Sequence, residues 1–259
     1  MPNYIPVSKE THASKRWKRT ASFAFAAKDA VAPLVAQELP SALMHLPMGF
    51  IKQEELFIPV AILGLLPGQN LFVAPDGRWL GGYTPAAFRA YPFQLANTED
   101  GQRVLVIDEA SGLVSDTEGE PFFDEEGNPA KALKDVLEFL SQVQSNRELT
   151  QRICAVLAEH QLIQPWPINV QGEGGERKVE GLFRIDEAAM NALPAEAFDT
   201  LRQAGALPIA YCQLLSMQHI QMLARLAQAQ AQAIAKRPTN GNGGAELLNS
   251  SDMISFDNL

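Results

Sequence analysis

Met48-Gly49-Phe50-Ile51-Lys52 and Leu56-Phe57-Ile58-Pro59-Val60-Ala61-Ile62-Leu63-Gly64-Leu65 decide how this chain is read. The second stretch is too apolar and too short for a surface helix, so it reads as a buried strand in a strand pair. Pro59 places it at an edge or a bulge, because proline brings no N–H to a ladder. Working outward, Tyr91–Ala96 and Arg103–Asp108 (RVLVID) read as two further strands. Leu71–Ala74 reads as a short strand, Pro75-Asp76-Gly77-Arg78 as a turn, and Trp79-Leu80 as the returning hairpin partner.

Helical periods fall between and after these strands. Leu133, Val136, Leu137, Leu140, Val143, Leu149, Ile153, Val156 and Leu157 keep one helical face from Pro129 to His160, with a break expected at Ser145-Asn146. Asp29–Leu39 is apolar at Val31, Leu34, Val35 and Leu39 and reads as a short helix. Thr84 and Pro85 open another near Arg89, as N-cap and first helical residue. Asp186 caps a third. Pro194–Ala204 is a fourth, stopped by Gly205, and Pro208 opens the last, which runs to about Ala235. Ile163–Val170 reads as extended and Lys178–Ile185 as one strand. Strands before residue 110 and near 165–185, with long helices between and after, give an α+β (mixed α/β) class. Its sheet is expected to be mostly antiparallel or mixed, packed by long helices.

The 259 residues are 46% hydrophobic and 20% charged, which excludes disorder through most of the length. There is no apolar run of membrane length and therefore no expected transmembrane segment. Residues 1–237 are expected as a single domain with an extended N-terminal arm (Met1–Trp17), and Thr20–Phe25 as a short strand. The Gly/Asn/Ser-rich residues 238–259 are expected as a disordered tail. The N-terminus lacks a secretory h-region, so the expected address is cytoplasmic, with signal-independent export to the cell surface left open.

The net charge is −9, from 21 basic and 30 acidic residues, which argues against nucleic acid as a partner. The charge is uneven. Lys9, Lys15, Arg16, Lys18, Arg19 and Lys28 share their stretch with one acid, Glu10, whereas Glu99–Glu126 holds ten acids and one base, Arg103. Either both are solvated faces, or the basic arm docks on an acidic surface of this chain or a neighbour. Cys154 and Cys212 are expected as buried free thiols, since two cysteines in helical stretches make no disulfide framework.

No nucleotide-binding, hydrolase-elbow or zinc-protease motif occurs, and no catalytic residue, metal ligand or cofactor is expected. The four histidines are scattered, and the acidic run Asp124–Asn128 reads as a hairpin turn because it lacks calcium-loop spacing. The densest chemistry lies from Asn70 to Phe93, with Asn70, Asp76, Arg78, Trp79, Tyr83, Arg89 and Tyr91. Arg78, Trp79, Tyr83 and Arg89 are the candidate ligand-binding residues. Guanidinium and aromatic groups together clamp carboxylates, phosphates or sugars, and Gly81-Gly82 permits close backbone approach. At least one of the two arginines is expected to face a pocket lined by Trp79 or Tyr83. The alternative is a structural hairpin whose arginines pair with local acids. Trp166, between two prolines, reads as a rigid anchor or a core residue.

Several stretches resemble the SapC family of bacteria: Phe23-Ala24-Phe25-Ala26-Ala27-Lys28-Asp29, Pro67-Gly68-Gln69-Asn70-Leu71-Phe72-Val73 and Gly77-Arg78-Trp79-Leu80-Gly81-Gly82-Tyr83-Thr84-Pro85. Tyr91-Pro92-Phe93, Leu182-Phe183-Arg184-Ile185-Asp186-Glu187 and Gly205-Ala206-Leu207-Pro208 extend the likeness over roughly residues 3–228. The resemblance implies a single SapC-like domain. It also implies a non-enzymatic structural or accessory role linked to the bacterial surface layer (S-layer), with self-association or a cell-envelope protein as partner. Relatives are often encoded beside TonB-dependent receptors, cupin-like proteins and flavin-dependent halogenase-like proteins. The same resemblance therefore leaves a second expectation, a cytoplasmic enzyme or small-ligand-binding protein acting with those neighbours. It supplies no catalytic residues.

Overall fold

Met48–Gln53 and Leu56–Ile62 form a hairpin because Phe50, Val60 and Ile62 need a buried face and Glu54 takes the positive φ, 54°, that the turn requires. A computed structural model of the chain describes residues 2–98, 100–172 and 175–235, so the expected tail at 238–259 lies outside the described residues. In chain order the elements are β1 (Tyr4–Pro6), α1 (Lys9–His12), β2 (Arg16–Trp17), β3 (Val31–Pro33), α2 (Leu39–Ala42), β4 (Met48–Gln53), β5 (Leu56–Ile62) and α3 (Ala86–Arg89). Then follow β6 (Phe93–Asn97), β7 (Arg103–Asp108), β8 (Val114–Ser115), β9 (Glu120–Pro121), α4 (Lys131–Glu159), β10 (Ile163–Pro165) and β11 (Ile168–Gly172). The last are β12 (Gly175–Val179), β13 (Leu182–Ile185), α5 (Glu187–Asn191), α6 (Ala195–Gln203), α7 (Ala206–Ser216) and α8 (Ile220–Ala235). The fold is of the expected α+β class, and every described strand pairing is antiparallel.

Two units emerge. The first comprises Met1–Ala21 and Ala86–Glu148. Its sheets run β1-β7-β6 and β8-β2-β9. Trp17, Phe93, Ile107 and Phe122 fill its core with Leu133 and Val136 of α4, and Trp17 meets Phe93 edge-on at 4.7 Å. The N-terminal stretch, expected as an extended arm, is woven into this unit. β1 pairs with β7, β2 lies between β8 and β9, and Trp17 is 1% exposed. Charge explains part of the docking: Lys15 pairs with Glu109 at 3.4 Å and Lys18 with Glu118, while Arg16 Nη1 donates to the Gly119 carbonyl at 3.0 Å. The basic arm thus docks on the acidic stretch of its own chain.

The second unit comprises Ser22–Pro85 and Leu149–Leu259. Its main sheet has the order β10-β13-β4-β5-β3, and β11 and β12 form a separate hairpin. β5 is an interior strand. Pro59 is tolerated because it lies opposite Phe50 of β4, just past the end of the β3 ladder, and its carbonyl still accepts from Leu34 N–H at 2.9 Å. α7 is stitched to the sheet by two buried polar residues. Gln213 Oε1 accepts from Ile185 N–H at 2.9 Å, and Ser216 Oγ accepts from Met48 N–H at 3.0 Å.

Several local expectations failed. The last helix, expected from Pro208 to about Ala235, is interrupted by a 3-10 turn at Met217–His219 that separates α7 from α8. Leu71–Ala74 and Trp79-Leu80, expected as a strand pair, make a single isolated bridge between Val73 and Trp79. Residues 29–39 hold β3 and a 3-10 turn rather than a helix, because Val31–Pro33 completes the flank of β5 at Val60–Ile62. Thr20–Phe25 bends into a 3-10 turn instead of a strand. α4 runs unbroken through Ser145-Asn146, with Asn146 buried. Gly181, at φ 83°, splits the expected strand Lys178–Ile185 into β12 and β13.

Candidate functional site

Asn70 prepares the hairpin that carries three of the four candidate residues. Its amide donates to the Ala26 carbonyl at 2.9 Å, and its Oδ1 accepts from Phe72 N–H at 2.9 Å. Asn70 is therefore a buried structural clasp. The chain then turns at Pro75-Asp76-Gly77-Arg78 and returns, with Ala74 N–H donating to the Arg78 carbonyl and Leu80 N–H to the Phe72 carbonyl, both at 2.8 Å. Gly77 is required twice over. Its φ is 84°, and a side-chain carbon there would overlap Ser22 Oγ at 2.1 Å.

Trp79 is held from three sides. Its ring stacks on Phe72 at 5.6 Å and tilts against Phe23 at 5.4 Å, and Phe23 in turn lies 6.0 Å from Phe25. Its Nε1–H donates to the Tyr83 carbonyl at 2.9 Å. That bond needs the Gly-Gly pair, since a side-chain carbon on Gly81 would come within 2.8 Å of the same nitrogen. Gly82 packs as closely on the His45 ring. The Tyr83 hydroxyl reaches away and donates to Glu38 Oε2 at 2.9 Å, while Glu38 Oε1 accepts from Val35 N–H at 2.9 Å. Glu38 is only 6% exposed.

Arg78 does not turn toward these groups. Its Nε donates to Asp76 Oδ2 at 2.7 Å with the side chain 73% exposed, and that contact holds the Asp76 carboxyl below the usual carboxylate range. Arg89 lies in the first unit, on α3, with its guanidinium 5.4 Å from the centre of the Phe139 ring. Arg78, Trp79 and Tyr83 share the second unit.

A family model, SapC, matches residues 7–223. The chain belongs to the SapC family. No curated protein and no solved structure matches it. The Trp79 hairpin and its Asn70 clasp lie wholly inside the matched span of this SapC-family chain.

The other sequence candidates are structural. The Tyr91 hydroxyl donates to Asp108 Oδ2 at 3.2 Å, and burial, with the Asp108 charge beside it, pushes Tyr91 up to about 12. Trp166 is a core residue. Asp124 Oδ1 accepts from Glu126 N–H at 3.1 Å and from Asn128 N–H at 2.7 Å, the geometry of a hairpin turn. Cys154 and Cys212 are buried free thiols, and burial pushes Cys154 up to about 12. Among the described residues no group of three or more His, Cys, Asp or Glu is arranged to hold a metal ion, and no helix is long and apolar enough to cross a membrane.

Sequence reasoning missed two residues that shape the site. Glu38 falls in the stretch read as a helix, and nothing local links it to Tyr83. Gln230 of α8 donates to the Leu71 and Val73 carbonyls at 3.1 and 3.0 Å, bracketing Phe72. Its Ala/Gln-rich surroundings carry no apolar face to mark that role.

Proposed function

We propose that this SapC-family chain is a non-enzymatic accessory protein linked to the bacterial surface layer, and that it works by contact through the Trp79 hairpin. The observation that carries the reading is the pairing of a rigid base with an exposed rim. The base is the Phe72–Trp79–Phe23 stack, fixed by the Trp79–Tyr83 bond. The rim is Leu80, 43% exposed, and the Arg78–Asp76 pair. A preorganised aromatic base beneath an apolar and charged rim suits a protein partner of the cell envelope, because little side-chain entropy is lost on contact. Trp79 and Tyr83 position the rim and Arg78 makes the contact, while Arg89 is a second contact residue in the first unit.

Cell fractionation tests this. Wild type is expected with the envelope or surface fraction, with Leu80→Asp and Arg78→Glu shifted to the soluble fraction while their circular dichroism is unchanged. Strictly cytoplasmic recovery of wild type overturns the reading, as does envelope recovery of both folded variants.

Glu38 favours a second reading, the cytoplasmic enzyme or small-ligand-binding protein. A buried carboxylate joined to a tyrosine hydroxyl is a recognisable polar element of ligand sites. Cytoplasmic recovery, with a Tyr83→Phe variant that folds but loses binding to an extract of small metabolites, is the outcome that would select it.

A further inference from the structure

Among the described residues of the first unit His12 is the one titratable side chain that is 0% exposed, and the function proposed above makes no use of it. It ends α1, whose N-cap is Ser8. Its Nδ1 accepts from Ser8 N–H at 3.3 Å, so that nitrogen carries a lone pair and the proton resides on Nε2. Nε2 has no hydrogen-bond partner. The ring packs on Phe122 of the core at 4.7 Å. Two charged groups face it: Glu109 Oε1, 3.8 Å from Nε2, and Lys15, which itself pairs with Glu109. Lys9 and Glu10 of α1 are exposed.

A second proton on this ring has nowhere good to go. It would sit on Nδ1, where it would meet the Ser8 N–H instead of accepting from it, and the charge would be buried against Phe122. The Ser8 backbone and the Glu109 charge offer partial compensation, and Lys15 beside Glu109 offsets some of that. Burial holds the His12 pKa below its usual value.

We propose that His12 is an acid-sensitive latch: neutral, it holds residues 3–17 shut on the first unit, and protonated, it lets that segment open. The open segment takes up the proton at an ordinary imidazole, and the closed one resists it. Opening is therefore unaffected above pH of about 6.5 and rises as pH falls below it, by up to tenfold per pH unit until the buried value is reached. The stakes are structural, because β1, β2 and Trp17 all belong to the segment that opens.

Hydrogen–deuterium exchange of the peptide covering residues 3–17, corrected for intrinsic rates between pH 7.5 and 5.0, reads the opening directly. Wild type is expected to show the acid rise there and none in β4–β5. His12→Asn, whose Oδ1 can still accept from Ser8 N–H but does not titrate, is expected to show a flat profile. His12→Phe, which keeps the ring stack on Phe122, serves the same purpose should the asparagine variant not fold. A pH-independent wild type overturns the proposal, and so does an acid rise that persists unchanged in the folded variant.

Discussion

Asn70→Ala removes one side chain and leaves one buried backbone donor stranded. The Phe72 N–H and the Ala26 carbonyl both belong to fully buried residues; the N–H loses its partner at 2.9 Å, whereas the carbonyl loses one donor and keeps the Asp29 N–H at 3.1 Å. A buried polar group left without a partner costs about 1–3 kcal/mol, which sets the scale of the loss at the Phe72 N–H. At roughly 2–4 °C per kcal/mol for a chain of this size, the melting midpoint should fall by about 2–12 °C. Asn70→Asp refines the test. The carboxylate can accept from Phe72 N–H but has no proton for the Ala26 carbonyl, which it repels. Burial against that carbonyl raises its pKa in the folded state, so the loss is largest at neutral pH. Stability then recovers as pH falls through the raised value, where the protonated acid can donate to Ala26. Thermal unfolding followed by circular dichroism at pH 7 and pH 5 reads both variants. An alanine variant melting within about 2 °C of wild type would refute the view that Asn70 is a clasp and restore it as a candidate for binding.

Gly119→Ala should destabilise the first unit well beyond Gly101→Ala. Both glycines have positive φ, 109° and 78°, but only at Gly119 does an added carbon meet backbone, the Trp17 carbonyl oxygen at 2.3 Å. Equal melting midpoints for the two variants would contradict the close docking of the N-terminal segment. The Cys154 thiol, pushed up to about 12, should resist an aromatic disulfide reagent at pH 8 in the native protein and react at once in guanidinium. Rapid native labelling of Cys154 would show that its burial is transient.

The two halves of the charge pattern explain each other. A chain of net charge −9 that carries a basic N-terminal stretch could use it on an outside partner, yet Lys15, Arg16 and Lys18 all meet groups between Glu109 and Gly119. These exposed or half-buried contacts are screened by salt and contribute modestly. The larger share of the docking comes from Trp17 and from the β1 and β2 ladders. A segment held partly by polar and titratable groups around one buried histidine is a natural place for local opening.

Much of this protein was legible in sequence wherever structure follows from neighbours along the chain. The β4–β5 and β6–β7 hairpins, the length of α4, the Asp186 cap on α5, the Gly205 stop after α6 and the turn at Gly77 all rest on periodicity or turn chemistry within a few residues. So did the aromatic and arginine density around Trp79, though not the geometry that gives it meaning. Only the tertiary structure decided that Val31–Pro33 is a strand, because its apolar spacing fits a helix and the choice waits on the open flank of β5. Only it brought Glu38 to Tyr83, Gln230 to Leu71 and Val73, Asn3 to Asp108, and His12 to Glu109. Each of these joins groups far apart in the chain through one polar contact, and several use a backbone group that every residue possesses. Such a contact leaves no periodic trace in the amino-acid order. It exists only once apolar burial has brought the segments together and left those polar groups needing partners.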